Sequence, residues 1–337
     1  MSNRVLIPLD LAEPLPLQFG MPEIYLSGST MGTTWSVHVL APLAVSRQTI
    51  EPGIQAQLDL VIHQMSTWEP GSVVSRFNHA PAGSWHALPD AFFTVLDAAL
   101  TLARDSDGAF DPTIGPLVNL WGFGPQQEGT DTVAACPDAA AMQLAQQRCD
   151  WRQITLDRQQ RRLLQPGGVY LDFSGIAKGY AVDLVAQYLC EIGCPSYLVE
   201  IGGELSGFGV KPDGQPWWVT LERPPSEQGA KSIVTALHGL AVATSGDYRR
   251  YFDYAGQRYA HTIDTRSGKP VSHGMVSVTV LHAQCMVADA LATVLMVLGE
   301  KKGMAFAQAR NIPALFIHSH DGLFSESMSP AFAEMLD

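Results

Sequence analysis

Residues 170–183 read Y-L-D-F-S-G-I-A-K-G-Y-A-V-D. A short β-type run over 169–173 carries Asp172 at its end, and Ser174 and Gly175 then turn the chain. Ser174 is a residue type that caps helix starts, and Ile176, Tyr180, Val182, Leu184, Val185 and Leu189 continue with helical spacing. Strand, turn and helix start place backbone N–H groups, a carboxylate and a lysine within a few residues of one another. That is the local chemistry of a phosphate or metal–phosphate site. The same residues also read as an ordinary strand–helix joint in which Asp172 and Lys178 pair at the surface, and the stretch alone does not separate the two.

Before this stretch, T-T-W-S-V-H-V-L (33–40) alternates as a strand, and residues 49–65 and 90–104 have the apolar stripes of helices. Residues 108–125, G-A-F-D-P-T-I-G-P-L-V-N-L-W-G-F-G-P, are too rich in Gly and Pro for a regular element and too apolar for a solvated linker. They read as a loop packed over a ligand. Residues 138–149 read as a helix, and 153–157 with 162–165 as a hairpin. After the stretch come strands at 196–201, 217–222, 232–237, 240–243 and 275–282, with a loop at 224–229. Two shorter runs, 248–252 and 257–261, bracket a turn at Ala255-Gly256. Helices at 284–298 and 301–310 and a strand at 314–318 follow. Interspersed helices and hairpin-like strand pairs make the expected class α+β or mixed α/β. Residues 1–22 read as an irregular, proline-punctuated arm and 23–337 as a single unit.

A chain of 337 residues with 46% apolar residues can build a sizeable core. A net charge of −12 argues against nucleic acid as a partner but allows a small anion where a cation inverts the local field. The five cysteines are scattered, and Cys190 and Cys194 lack the second pair of a zinc site. No run approaches the roughly 20 apolar residues of a membrane span. The N-terminus has no apolar leader core. The expectation is a cytoplasmic protein with reduced thiols, or a periplasmic one if a leader has been removed.

In C-M-V-A-D-A-L-A-T-V-L-M-V-L (285–298), Asp289 and Thr293 lie four apart, so both oxygens project from one face of an apolar helix. A buried carboxylate must be paired, protonated or bound to a metal. Pairing with a distant arginine and metal ligation both satisfy that requirement.

Eight ordered motifs carry a resemblance. G-S-T-M-G-T-T-W-S-V (28–37), M-S-T-W-E-P-G-S-V-V-S-R-F-N (65–78), the segment 108–124 and D-F-S-G-I-A-K-G-Y-A-V-D (172–183) come first. Y-L-V-E-I-G-G-E (197–204), A-T-S-G-D-Y-R-R-Y-F (243–252), H-T-I-D-T-R-S-G-K-P-V (261–271) and A-D-A-L-A-T-V-L-M-V-L-G (288–299) follow. The series closely resembles the ApbE family, the FAD:protein FMN transferases, over roughly residues 24–320.

The resemblance implies a T-fold-like α+β architecture and an enzyme that binds FAD with magnesium and cleaves its pyrophosphate. FMN would pass to a Thr or Ser hydroxyl of an acceptor flavoprotein through a phosphoester, with release of AMP. By position, the FAD contacts would be Met31, Trp68, Ala109, Phe110, Asp111, Asp172, Lys178 and Ile263. Trp68 stands where the family often has Tyr and keeps a stacking face. Magnesium would be held by Asp289, Thr293 and the main-chain oxygen of Gly175, and His261 would be the catalytic base. A carboxylate, a hydroxyl and a carbonyl are the hard oxygen donors that magnesium prefers, with positions left for phosphate oxygens and water. Asp264 and Arg266 read as a structural pair beside the site. Thr265 replaces a proline common in the family, a change expected to loosen the loop that carries His261. Two other readings of the same motifs are a magnesium-dependent FAD pyrophosphatase that uses water as acceptor, and a flavin-binding protein without turnover.

Overall fold

The apolar alternation of the strand-forming runs resolves into one eight-stranded sheet in which every neighbouring pair is antiparallel. The computed structural model describes residues 4–8, 13–15, 17, 20–125, 136–225, 227, 232–320 and 322–336. The strands are β1 (Glu23–Thr30), β2 (Thr33–Leu40), β3 (Ser196–Ile201), β4 (Glu204–Phe208), β5 (Leu240–Gly246), β6 (Met275–His282), β7 (Ala314–His320) and β8 (Leu323–Met328). Their order across the sheet is their order along the chain. The class is therefore α+β, as the interspersed elements predicted.

The helices are α1 (Arg47–Met65), α2 (Val73–Asn78), α3 (Asp90–Asp105), α4 (Gly115–Leu120), α5 (Ala139–Gln146), α6 (Ala177–Glu191), α7 (Cys285–Ala309) and α8 (Pro330–Ala333). Helix α6 packs on β3 and β4, α7 packs on β5 and β6, and the two helices touch each other. Strand periodicity explains the layering. Val278, Val280 and Phe316 face α7, while Leu281, Leu315 and Ile317 face the opposite side. That opposite side is covered by a three-stranded sheet of Arg4–Leu6, Ile233–Leu237 and Trp217–Thr220, together with Phe332 of α8. With both faces covered, β6 is buried over Met275–Leu281.

Three local expectations are corrected. Within the expected irregular arm, whose remaining residues lie partly outside the described ones, Arg4–Leu6 forms a strand parallel to Ile233–Leu237, and Leu6 is buried. The expected loop at 224–229 likewise lies partly outside them. The Gly/Pro-rich segment 108–125 contains the short helix α4, begun at Gly115-Pro116, because proline at a first helical turn forfeits no hydrogen bond. The two helices expected after 284 are present as α7, whose parts meet at Gly299, where φ is 71°.

The third correction concerns residues 169–173, which form no strand. Their backbone is satisfied by side chains instead of a ladder. Asn78 donates to the Leu171 carbonyl (2.9 Å) and accepts from the Leu171 N–H (2.7 Å), while Gln165 donates to the Val169 carbonyl (3.1 Å). The Asp172 N–H donates to the Pro112 carbonyl, 2.9 Å away, and ties the stretch to the 108–125 segment. An amide side chain offers the same donor–acceptor pair as a neighbouring strand, so β-type residues form an extended segment outside any sheet. Asn78→Ala removes both bonds to Leu171, and a loss of about 2–4 kcal/mol of stability is expected in urea denaturation.

Candidate active site

Ser174 does not cap α6. The Asp172 carboxylate accepts the Ser174 N–H (2.8 Å), the N–H groups of Ile176 and Ala177 both donate to the Phe173 carbonyl, and Ile176 occupies the cap position. Asp172, itself buried, therefore holds the turn that presents Gly175. Across from that turn lies α7. A Cβ on Gly175 would stand 3.0 Å from Thr293 Oγ1 and 3.4 Å from the Phe110 ring, so these three residues are in contact. Thr293 Oγ1 is also 3.3 Å from Ser245 Oγ on β5.

Asp289, on the same face of α7, is 4% exposed and accepts the Gly179 N–H at 3.0 Å. A side chain on Gly179 would collide with the Cys285 carbonyl at 2.4 Å, so this glycine sets how closely α6 and α7 approach. Of the residues expected together, Gly175 lies against Thr293, and Asp289, one turn before Thr293 on α7, meets Gly179, one turn after Gly175. Among the described residues no three His, Cys, Asp or Glu side chains cluster to hold a metal. A cation here would rely on one carboxylate, one hydroxyl and one carbonyl, an all-oxygen set that fits Mg2+ and disfavours Zn2+.

Lys178 does not pair with Asp172. Its ammonium lies 2.5 Å from Glu204 Oε1, at the start of β4, and Glu204 is 1% exposed. Burial opposes the lysine's charge, but Glu204 and Asp289 outweigh it and hold Lys178 above its ordinary range. Burial pushes Glu204 upward, Lys178 works against that shift, and Asp289 adds to it. Arg249 completes the cluster. It pairs with Glu222, donates to the Gly202 carbonyl and covers the Gly202-Gly203 turn that leads into Glu204. Sequence reasoning missed Glu204 and Arg249. Both stand in quoted motifs, and the one available signal was a carboxylate at the start of an apolar strand.

His261 follows the strand Gln257–Ala260, which pairs with Tyr251–Tyr254. Its backbone N–H donates to the Arg250 carbonyl at 3.0 Å, and its Nδ1 lies 3.1 Å from the same oxygen. A ring whose Nδ1–H donates to a carbonyl keeps the lone pair on Nε2. Burial pushes the imidazole down from 6.5 to about 4, the Arg250 carbonyl works against this, and the charges of Arg250, Lys178 and Arg249 reinforce it. Lys178 thus acts electrostatically on both Asp289 and His261.

Of the remaining expected FAD contacts, Phe110 lies against Gly175. Ala109 and Phe110 are buried, and Asp111 accepts the Thr113 N–H and hydroxyl, with its carboxyl raised by burial. Asp111 also lines a hollow of about 360 Å³ shared with Gly108, Trp151, Thr265 and Arg266, which none of Lys178, Glu204, Asp289 or His261 lines. Ile263 is buried beside Leu117 and Trp121. Met31 and Gly32 form the two-residue tip between β1 and β2, both at positive φ (48° and 73°). Trp68 sits on the α1–α2 loop, 54% exposed. The contacts that join the cluster do not reach Met31 or Trp68.

Asp264 and Arg266 form the expected pair at 2.7 Å. Thr265 does not leave its loop loose. It is buried, its hydroxyl donates to the Gly108 carbonyl (3.0 Å), and Gln146 donates to the carbonyls of Thr265 and Arg266 (2.8 Å each).

The model of the ApbE family matches residues 31–316. The chain belongs to the ApbE family. It is 40% identical to the FAD:protein FMN transferase of Vibrio cholerae over 93% of each chain, and 32% identical to that of Escherichia coli K12 over 96% of this chain and 92% of the other. Its fold matches the apo crystal structure of the Pseudomonas stutzeri flavinyl transferase ApbE with a TM-score of 0.85 and 39% identity, covering 95% of this chain and 98% of that one. Among the described residues no helix is long and apolar enough to cross a membrane.

The position of His261 gives a pH signature. The unfolded ring takes up a proton near 6.5 and the folded one only near 4, so the stability gained by burying it neutral is present above 6.5 and lost as pH falls from there toward 4. Urea midpoints of wild type and His261→Gln are expected to diverge over that window, with wild type losing more. Thr265→Val removes the hydroxyl bond to Gly108 at constant shape and is expected to cost about 1–2 kcal/mol in the same measurement.

Proposed function

We propose that this ApbE-family chain transfers FMN from FAD to a Thr or Ser hydroxyl of an acceptor flavoprotein, with Mg2+ and release of AMP, and that residues 23–337 act as one unit. The observation that carries the reading is the α6–α7 contact, which sets Gly175 against Thr293 and Gly179 against Asp289 and is electrostatically linked through Lys178 to a neutral His261. The names of the relatives supply the substrate class.

The balance of charges supports a cation here. Lys178 and Arg249 are set against Glu204, Glu222 and Asp289, so the cluster has no surplus of positive charge for a pyrophosphate. Helix dipoles offer an anion only ~0.3–1 kcal/mol each. Bound Mg2+ would supply charge neutralisation and polarise the phosphorus. Asp289, Thr293 and the Gly175 carbonyl would hold it. Lys178, kept cationic, would orient the phosphate oxygens. His261 Nε2, with its tautomer set by the Arg250 carbonyl, would take the proton of the acceptor hydroxyl as that oxygen bonds to the FMN phosphorus and the bond to AMP breaks. Met31, Trp68, Ala109, Phe110, Asp111, Asp172 and Ile263 would position the rest of FAD.

The test is incubation with FAD, Mg2+ and a candidate acceptor, read by intact mass. An FMN adduct with one AMP released per adduct is expected. AMP and free FMN without adduct would replace the reading with an FAD pyrophosphatase, and stoichiometric FAD binding without AMP would leave a flavin-binding protein. Asp289→Ala is expected to lower turnover at least a hundredfold (about 2.7 kcal/mol or more). His261→Ala is expected to abolish adduct formation while FAD binding persists.

A further inference from the structure

Helix α7 begins without a cap of its own. Gln284 in its cap position makes no side-chain bond, and its first turn contains no acidic residue. The bonds come from the neighbouring helix. Asp183, half-buried on α6, accepts the N–H of Cys285 through one carboxylate oxygen and that of Met286 through the other, each at 2.8 Å. The favour is returned four residues later in α7 and four residues earlier in α6. Asp289 of α7 accepts the N–H of Gly179, in the first turn of α6. Each helix thus terminates the other's N-terminus with a carboxylate, and the two bonding points are one turn apart on both helices.

From this reciprocal capping we infer that Asp183 is a positioning residue for the metal site. It fixes the axial register of α7 against α6, and so the place of Asp289 and Thr293 relative to Gly175. The inference rests on the proposed metal role of Asp289. A slide of α7 along α6 would carry Asp289 and Thr293 away from Gly175 together, since Thr293 meets Gly175 and Asp289 meets Gly179 across this contact. At Gly179 the Cys285 main chain and the Asp289 Cβ lie against a residue with no side chain of its own, so α6 offers no side-chain knob there to resist such a slide. Two charge-assisted hydrogen bonds directed along the axis of α7 do resist it.

The experiment measures Mn2+ binding to FAD-free protein by electron paramagnetic resonance, together with the Mg2+ activation constant and kcat at saturating Mg2+. The variants are Asp183→Ala, Asp183→Asn, Asp289→Ala and, as a destabilised control remote from the site, Ser329→Ala, which removes the α8 cap. Asp183→Ala is expected to weaken Mn2+ binding at least tenfold and raise the Mg2+ activation constant similarly. Its kcat at saturating Mg2+ should stay within about threefold of wild type. Asp183→Asn, which keeps one acceptor, should fall between wild type and Asp183→Ala. Should Asp183→Ala not fold, Asp183→Asn decides alone, with a weakening of at least threefold expected. Mn2+ binding by either folded Asp183 variant within twofold of wild type, or weakened no more than in Ser329→Ala, overturns the inference. If Asp289→Ala binds Mn2+ as wild type does, the metal reading itself fails. If only Asp289→Ala loses binding, the positioning role alone fails.

Discussion

A carboxylate in the apolar first half of a helix, 4% exposed, costs several kcal/mol unless a donor or a cation faces it. Asp289 meets that requirement through the Gly179 N–H, and much of the architecture follows from it. The donor here comes from a helix N-terminus, where N–H groups are free of intrahelical partners. It must come close, which Gly179 permits. Helix α6 must therefore lie against α7 on the same face of the sheet, and the turn before α6 is brought to Thr293.

That turn is held from the other direction by the 108–125 segment, through the Asp172 N–H to Pro112 and the contact of Phe110 with Gly175. The same segment reaches the His261 loop through Gly108 and Thr265, and Trp121 donates to the Gly268 carbonyl at 2.9 Å. A stretch without long regular structure thus links the two halves of the candidate site. Its apolar character, odd for a loop, is accounted for by the burial of Leu117, Trp121 and Phe123 with Ile263.

How far these relations were legible varied with their physical basis. Strands β2, β3 and β6 follow from two-residue alternation or continuous apolar runs and agree with expectation end to end. The run 169–173 has the same composition, yet it forms no strand because its partners are Asn78 and Gln165, side chains that propensity does not anticipate. The link between Asp289 and Gly175 was legible only through the ordered motifs, since no local pattern joins residues over a hundred positions apart. The Lys178–Glu204 pair was not legible at all. Asp172 was nearer in sequence, but Lys178 on the first turn of α6 points to the turn between β3 and β4. Thr265 misled for a related reason: a proline stiffens a loop through its own ring, whereas a threonine does so through a partner, and only the fold shows that partner.

The tip at Met31-Gly32 has a consequence for the FAD contact proposed at Met31. Gly32 adopts a left-handed backbone at no cost, but Met31 at φ 48° sits where asparagine or glycine usually stands, at a cost of ~1–3 kcal/mol. The ladder below it, closed by Thr30 opposite Thr33, enforces the conformation whether or not anything is bound. Ordering that side chain's backbone is therefore settled during folding. FAD placed against Met31, as proposed, would meet a backbone already ordered, and less conformational entropy would be lost at that contact than at a flexible loop.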